Sequence, residues 1–309
     1  MSFVHTHVHV QTSLLDGLIS NDKLVKYVKE LGMSAVAITD HGTIHGWVDF
    51  YKQCKENNIK PILGSEFYIT WDEDKKEETI KDNRHMIVLA KNQKGYEAII
   101  KMITNANQNN FYYKPRVYYK HLENYAGDLI LTSACLAGPI ANLFKEQKLI
   151  EAEELFKYYK ETFDTNFYAE IQENGIPEQE PYNRYLIGLS KKYSIKVIPT
   201  TDAHFLKKED YKTHQLMMAA QLQKTIKEYL GDDKMRYGPE YYIKTPDEMK
   251  QIAIKYEVPE AIENTLEIAE ACNVEIEFGK SRLPSFPVQD SEDKEEFLEW
   301  QKKKQTSVE

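Results

Sequence analysis

Residues 3–10 read FVHTHVHV, and residues 20–33 read SNDKLVKYVKELGM. The first stretch alternates side-chain character at the period of a β-strand, on which residues two apart share a face. That spacing predicts a strand presenting His5, His7 and His9 to one place. In the second stretch Leu24, Val25, Val28 and Leu31 keep helical spacing, and Gly32 ends it. A strand followed by an amphipathic helix is the repeating half of a βαβ chain.

The couplet recurs. AVAITDHG (35–42) reads as a buried strand and GWVDFYKQCKENNI (46–59) as a helix. KPILGSEFYIT (60–70) is a third strand, and HMIVLAKN (85–92) a fourth, followed by the helical GYEAIIKMITNAN (95–107). DLILTSACL (128–136) is a fifth, with a helix from about Pro139 to Phe163. NFYAEIQEN (166–174), the helical EPYNRYLIGLSKKY (180–193) and KVIPTTDAHF (196–205) complete the series. Strands alternating with helices predict right-handed crossovers and a parallel sheet. Seven units in about 205 residues favour a barrel over an open doubly wound sheet.

From residue 207 the pattern becomes helical. HQLMMAAQLQKTIKEYL and VPEAIENTLEIAEACN read as helices, and Thr245, Pro246 and Glu248 form a capping box opening TPDEMKQIAIKY. We read 1–206 as the barrel, 207–288 as a helical extension, and 289–309 as a charged tail or the start of a further domain.

The 309 residues are 41% hydrophobic and 29% charged, as in a water-soluble globular chain. No apolar run is long enough to span a membrane, and the start lacks the features of a secretory signal. Cys54, Cys135 and Cys272 are few and far apart, which argues against a disulfide framework and fits a reducing cytoplasm. A net charge of −9 is not the footprint of a chain that wraps duplex DNA through a broad basic face. Attraction to a nucleic acid would have to be local, and bound metal ions are one source of it.

Acidic and metal-competent residues gather where the strands end. His7 and His9 lead to Asp16, Asp40 and His41 sit in TDHG, and Glu66 in GSEF. His85 begins the fourth strand; Cys135, Glu170, Asp202 and His204 follow on the later ones. Each alone is more often a core or surface residue. In a parallel barrel, however, all strand C-termini open on one face. His, Asp, Glu and Cys together are ligands for zinc, manganese or iron. Ions a few ångströms apart clamp a phosphate, acidify water and stabilise the leaving oxygen.

These residues resemble the polymerase and histidinol phosphatase (PHP) family of metal-dependent phosphoesterases. The resemblance is carried by FVHTHVHVQTSLLDG, AVAITDHG through IKPILGSEFY, GYEAIIKMI, FYYKPRV, SACLAG, AEIQENG, TTDAHF and RLPSFPV, from residue 3 to about 288. The spacer text is closest to the PHP domains that open the bacterial C-family replicative polymerases, the polymerase III alpha subunits. The resemblance implies a distorted (β/α)7 barrel with a trinuclear centre of zinc or manganese, with iron as a further candidate. It implies that His7, His9, Glu66 and Asp202 bind one ion. Glu66 bridges to a second ion on His85 and Cys135, and Asp16, His41 and His204 hold a third. It gives the catalytic role to His7, His9, Glu66, Asp202 and His204.

The implied activity is 3′–5′ exonuclease proofreading on a single-stranded DNA 3′ end. The implied partners are the remaining polymerase domains and replisome subunits, in the cytoplasm. The family's palm, thumb and fingers are not in this chain, so the resemblance implies no polymerisation by it alone. FYYKPRVYYKHL (111–122) interleaves aromatics with cations, and Arg84, Lys114, Arg116 and Arg184 are candidate phosphate contacts. Two other readings compete: a metal-stabilised scaffold without activity, and a phosphatase or pyrophosphatase acting on small molecules.

Overall fold

The computed structural model describes residues 3–14, 16–71, 83–231, 237–280 and 298–300. The strands are β1 (Ala35–Ile38), β2 (Lys60–Thr70), β3 (Arg84–Ala90), β4 (Phe111–Tyr112), β5 (Lys114–Tyr118), β6 (Leu129–Thr132), β7 (Phe167–Gln172) and β8 (Lys196–Thr200). β1 pairs with β2, β6 with β7 and β7 with β8, all parallel. β3 lies antiparallel between β2 and β6. Residues 3–10 close the ring. Ala37 N donates to His5 O at 2.9 Å and Thr39 N to Val8 O at 2.9 Å. On the other side His9 N donates to Ala203 O at 2.8 Å. The expected α/β barrel is therefore present, with one stave reversed.

The reversal corrects the all-parallel expectation, and it has a sequence cause. Residues 72–83, DEDKKEETIKDN, hold one apolar residue, Ile80, unlike the amphipathic stretches that follow the other strands. It also explains His85. Because β3 runs backwards, its first residues lie at the end where the parallel strands finish. His85 pairs with Tyr68, two residues beyond Glu66.

The first histidine stretch departs from simple alternation. Between Ala37 and Thr39, just past the end of β1, the partner segment advances from His5 to Val8, so two steps of one chain face three of the other. This is a bulge, which re-aims side chains. Val4 joins Ala35, Ala37 and Ile62 in the core. His5 turns away, donating from Nε2 to Lys244 O at 2.9 Å. His7 and His9 return to the face that also carries Glu66.

The base of the barrel is filled by Ile62, Leu89, Ile130, Tyr168 and Ile198, joined by Ile268 and Ala269 from helix Ala261–Ala271. The expected helix 139–163 is two helices, Pro139–Lys145 and Leu149–Phe163, parted where Gln147 takes φ 61°. β4 and β5 form a hairpin, and β5 adds to the end of β2. Helices Tyr211–Gln221, Ile226–Leu230 and Pro246–Lys255 follow the barrel, the last with the expected capping box of Thr245 and Glu248.

The chain divides into compact units at Met1–Glu275 and Ile276–Glu309. The RLPSFPV stretch, the expected boundary at 288 and most of the tail lie outside the described residues. Among the described residues no helix is long and apolar enough to cross a membrane.

Candidate metal centre

Nine side chains from across the sequence meet at one end of the barrel. His7 and His9 come from the closing segment, Asp16 from the turn after it, and His41 from the exit of β1. Glu66 stands mid-way along β2 and His85 at the start of β3. Cys135 follows β6, and Asp202 and His204 follow β8. Asp202 takes φ 49° and Ala134, beside Cys135, φ 58°. Both are left-handed conformations that cost energy in non-glycine residues and concentrate at functional sites.

Glu66 is the hub. Its Oε1 lies 2.8 Å from His85 Nδ1 and 3.7 Å from His7 Nε2. Its Oε2 lies 2.7 Å from His41 Nδ1 and 3.3 Å from His9 Nε2. Cys135 Sγ is 3.8 Å from Glu66 Oε1 and 3.7 Å from His85 Nδ1. Asp202 Oδ1 is 3.1 Å from Nε2 of both His7 and His9. Asp16 Oδ2 reaches His41 Nε2 at 3.1 Å and His204 Nε2 at 3.8 Å.

Neighbouring groups set the tautomers. His7 Nδ1 donates to Glu170 Oε1 at 2.6 Å, and its Nε2 faces Asp202 Oδ1 at 3.1 Å. Glu170 is held in turn by Thr200 Oγ1 at 2.6 Å, Gln172 Nε2 at 2.9 Å and the Thr132 hydroxyl. His204 Nδ1 donates to Asp202 O at 2.7 Å. His9 Nδ1 meets Ser13 Oγ at 3.3 Å, and that hydroxyl donates to Asp16 Oδ1 at 3.1 Å. A carboxylate or carbonyl behind a histidine, with the other nitrogen turned to a shared space, is the usual support of a metal ligand.

Burial and neighbouring charges oppose one another across the cluster. Burial opposes charge on Glu66, but His85, His41 and His7 outweigh it and hold its carboxyl well below the usual range. Burial likewise opposes charge on Asp202, and His7 and His204 outweigh it. Burial disfavours a proton on His7, yet Asp202, Glu170 and Glu66 hold its pKa well above the ordinary value. Burial, then Glu66 and Asp202, push the Cys135 thiol well up. A cation among these groups would invert that logic and ionise the thiol.

The donors fit metal ions. Glu66 Oε2, Asp202 Oδ1 and His41 Nδ1 are buried yet make no hydrogen bond, despite ring nitrogens or carboxylates within 2.7–3.1 Å. Buried unmade acceptors are costly unless something else satisfies them. His7 Nε2 and His9 Nε2 stand 3.1 Å apart. Two nitrogens on one tetrahedral zinc would be separated by about 3.3 Å. Among the described residues, three groups have donor atoms close enough to share an ion: His9, His41 and His204; His7, His9 and Glu66; and His41, Glu66 and His85.

Other expected residues fall elsewhere. Asp40 accepts from Val10 N and the Thr12 hydroxyl, bracing the turn, and burial lifts its carboxyl to about 6. Lys114 lies over the Tyr68 ring at 5.1 Å and borders a cleft that reaches His41. Arg116 lies over Tyr112. Arg84 precedes His85 in β3. Arg184 pairs with Glu180 at 2.9 Å and lies over Tyr256, away from the nine.

Sequence reading passed over two contributors from the extension. Tyr237 donates to Asp16 Oδ2 at 3.1 Å and sits 3.3 Å from His204 Nε2. His214 lies 2.8 Å from Asp16 O and fastens that turn. A tyrosine among neighbours as aromatic as YGPEYY carries no signal of its own. A second cleft, of about 170 Å³ and lined by His41, His85, Cys135, Asp202 and Tyr237, opens the centre to solvent.

A barrel of this kind, with histidines and carboxylates gathered at its strand ends, belongs to the PHP family, whose PHP domain model matches residues 5–174. Its relatives are polymerase subunits. The DNA polymerase III subunit alpha of Aquifex aeolicus (strain VF5) is 40% identical over 96% of this chain. Those of Campylobacter jejuni and Thermus aquaticus are 35% and 34% identical over 92% and 96% of it. The chain spans about a quarter of these relatives: 27%, 24% and 25% of their lengths.

Proposed function

We propose that this chain is the PHP domain of a bacterial DNA polymerase III alpha subunit and hydrolyses phosphodiesters from a 3′ DNA end in a metal-dependent reaction. The observation that carries this reading is the convergence of nine donor side chains with Glu66 at their centre, three of the nine with buried atoms left unsatisfied. His7, His9, Glu66 and Asp202 would hold one ion, His85 and Cys135 a second beside Glu66, and Asp16, His41 and His204 a third. Zinc or manganese suits the nitrogen and carboxylate donors, and Cys135 favours zinc or iron. When bound, such ions supply Lewis acidity to a phosphoryl oxygen and acidify water.

The chain's own residues do the rest. Glu170 keeps the His7 imidazole in one tautomer and orientation. The Ser13 hydroxyl links His9 to Asp16. The Tyr237 hydroxyl donates to Asp16 and sits beside His204, which holds these two side chains at a set spacing. The partners would be a single-stranded 3′ end, the remaining polymerase domains and the cytoplasmic replisome.

Incubation with 3′-labelled single-stranded DNA and Mn²⁺ or Zn²⁺ should release mononucleotides. Asp202→Ala should lower the rate at least on the order of 100-fold. An Asp202→Ala protein as active as wild type would overturn the assignment.

A scaffolding role has one observation in its favour. The nine donors come from nearly every stave of the barrel, so ions there would cross-link it and stabilise the fold. Chelation that lowers the melting temperature, with no hydrolysis of DNA, pyrophosphate or a phosphomonoester, would favour that role.

A further inference from the structure

The hairpin of β4 and β5 is not a stave of the barrel, yet it stands beside the metal centre. Phe111 pairs with Pro115 and Tyr112 with Lys114, which leaves Tyr113 at the turn with φ 57°. Phe111 is 61% exposed and Tyr113 67%. With His41, Tyr68, Lys114 and Pro115 they line a cleft of about 310 Å³, near the lower end of the size range of small-molecule sites.

The hairpin's position is fixed from two sides. β5 extends β2, with Tyr68 opposite Arg116. On the other side Pro115 packs on Gly42, the residue after His41. A Cβ at Gly42 would meet Pro115 Cγ at 2.8 Å, and Gly42 takes φ 57°. The rings are thus held at a set place relative to a residue of the metal centre.

We propose that this cleft is a nucleobase seat: the terminal base of the single-stranded substrate stacks on Phe111 and Tyr113, with its phosphate beside Lys114 and His41. This rests on the exonuclease reading above and adds a base-binding site to it. The chemistry matches on three counts. Exposed aromatic faces offer stacking that every base can use. Lys114 brings a cation for the adjoining phosphate. A chain of net charge −9 has little overall attraction for a polyanion, so local contacts of this kind would supply affinity for a strand.

The test uses an oligonucleotide with 2-aminopurine at its 3′ end and a phosphorothioate at the last linkage to slow cleavage. A matched strand carries a 3′ abasic site. Wild type should quench the fluorophore and prefer the base-bearing strand by on the order of 10-fold. Phe111→Ala with Tyr113→Gly should abolish the quenching and most of that preference. Glycine suits the positive φ at 113, so the hairpin keeps its turn, and an unchanged melting temperature reports an intact fold.

Undiminished quenching in the variant, or equal affinity of wild type for the two strands, would overturn the seat and leave the hairpin as a protein-contact surface. Hydrolysis of the unmodified strand, measured in parallel, separates the two claims. Hydrolysis without quenching overturns the seat alone, and quenching without hydrolysis overturns the catalytic reading alone.

Discussion

Three histidines at positions 5, 7 and 9 end in different roles. His7 and His9 face Glu66 and Asp202, while the bulge turns His5 outward onto Lys244 O. Burial pulls the His5 pKa down to about 4, only partly offset by the Lys244 carbonyl. The sign follows. Between pH 6.5 and about 4 the unfolded chain binds a proton at residue 5 that the folded chain refuses, so stability falls as pH drops through that window. The loss at the acid end amounts to about 3 kcal/mol. His5→Gln keeps a donor for Lys244 O and does not titrate. Denaturant unfolding from pH 7 to pH 4 should show a shallower decline for His5→Gln than for wild type. Parallel declines would contradict the assignment.

At the scale of elements, the strand and helix couplets were legible because burial leaves periodic patterns. The side chains that cluster around Glu66 were legible as a group because they sit where those patterns stop. Three features were not. A bulge depends on backbone register, which side-chain period does not encode, so HTHVH reads as uninterrupted alternation. The direction of β3 depends on its connection, while its own sequence is equally apolar either way. The strands of the hairpin 111–118 are too short to leave a periodic pattern. Helix Ala261–Ala271 is readable as amphipathic, but nothing in its sequence says that it caps the barrel's base. There Ile268 is fully buried with Val4, Ile62, Leu89 and Ile198. Ile268→Ala should cost on the order of 2–5 kcal/mol in chemical denaturation, by lost burial and a residual cavity. A cost below about 1 kcal/mol would place that helix outside the core.

For the whole molecule, the ring of strands turns a scattered sequence into one centre. Residues from His7 to His204 become neighbours because the closing segment joins β1 to the exit of β8 and the reversed strand brings His85 to the same end. The extension then completes the site through Tyr237 and His214. The central claim is that this convergence holds several metal ions and that they act on a phosphodiester. Elemental analysis and DNA hydrolysis on the same purified samples, wild type and Glu66→Ala, test it most directly. The account predicts more than a single equivalent of divalent metal per wild-type chain, with metal content and hydrolysis falling together in Glu66→Ala. Undiminished metal content in Glu66→Ala, or full hydrolysis by metal-free wild type, would contradict it.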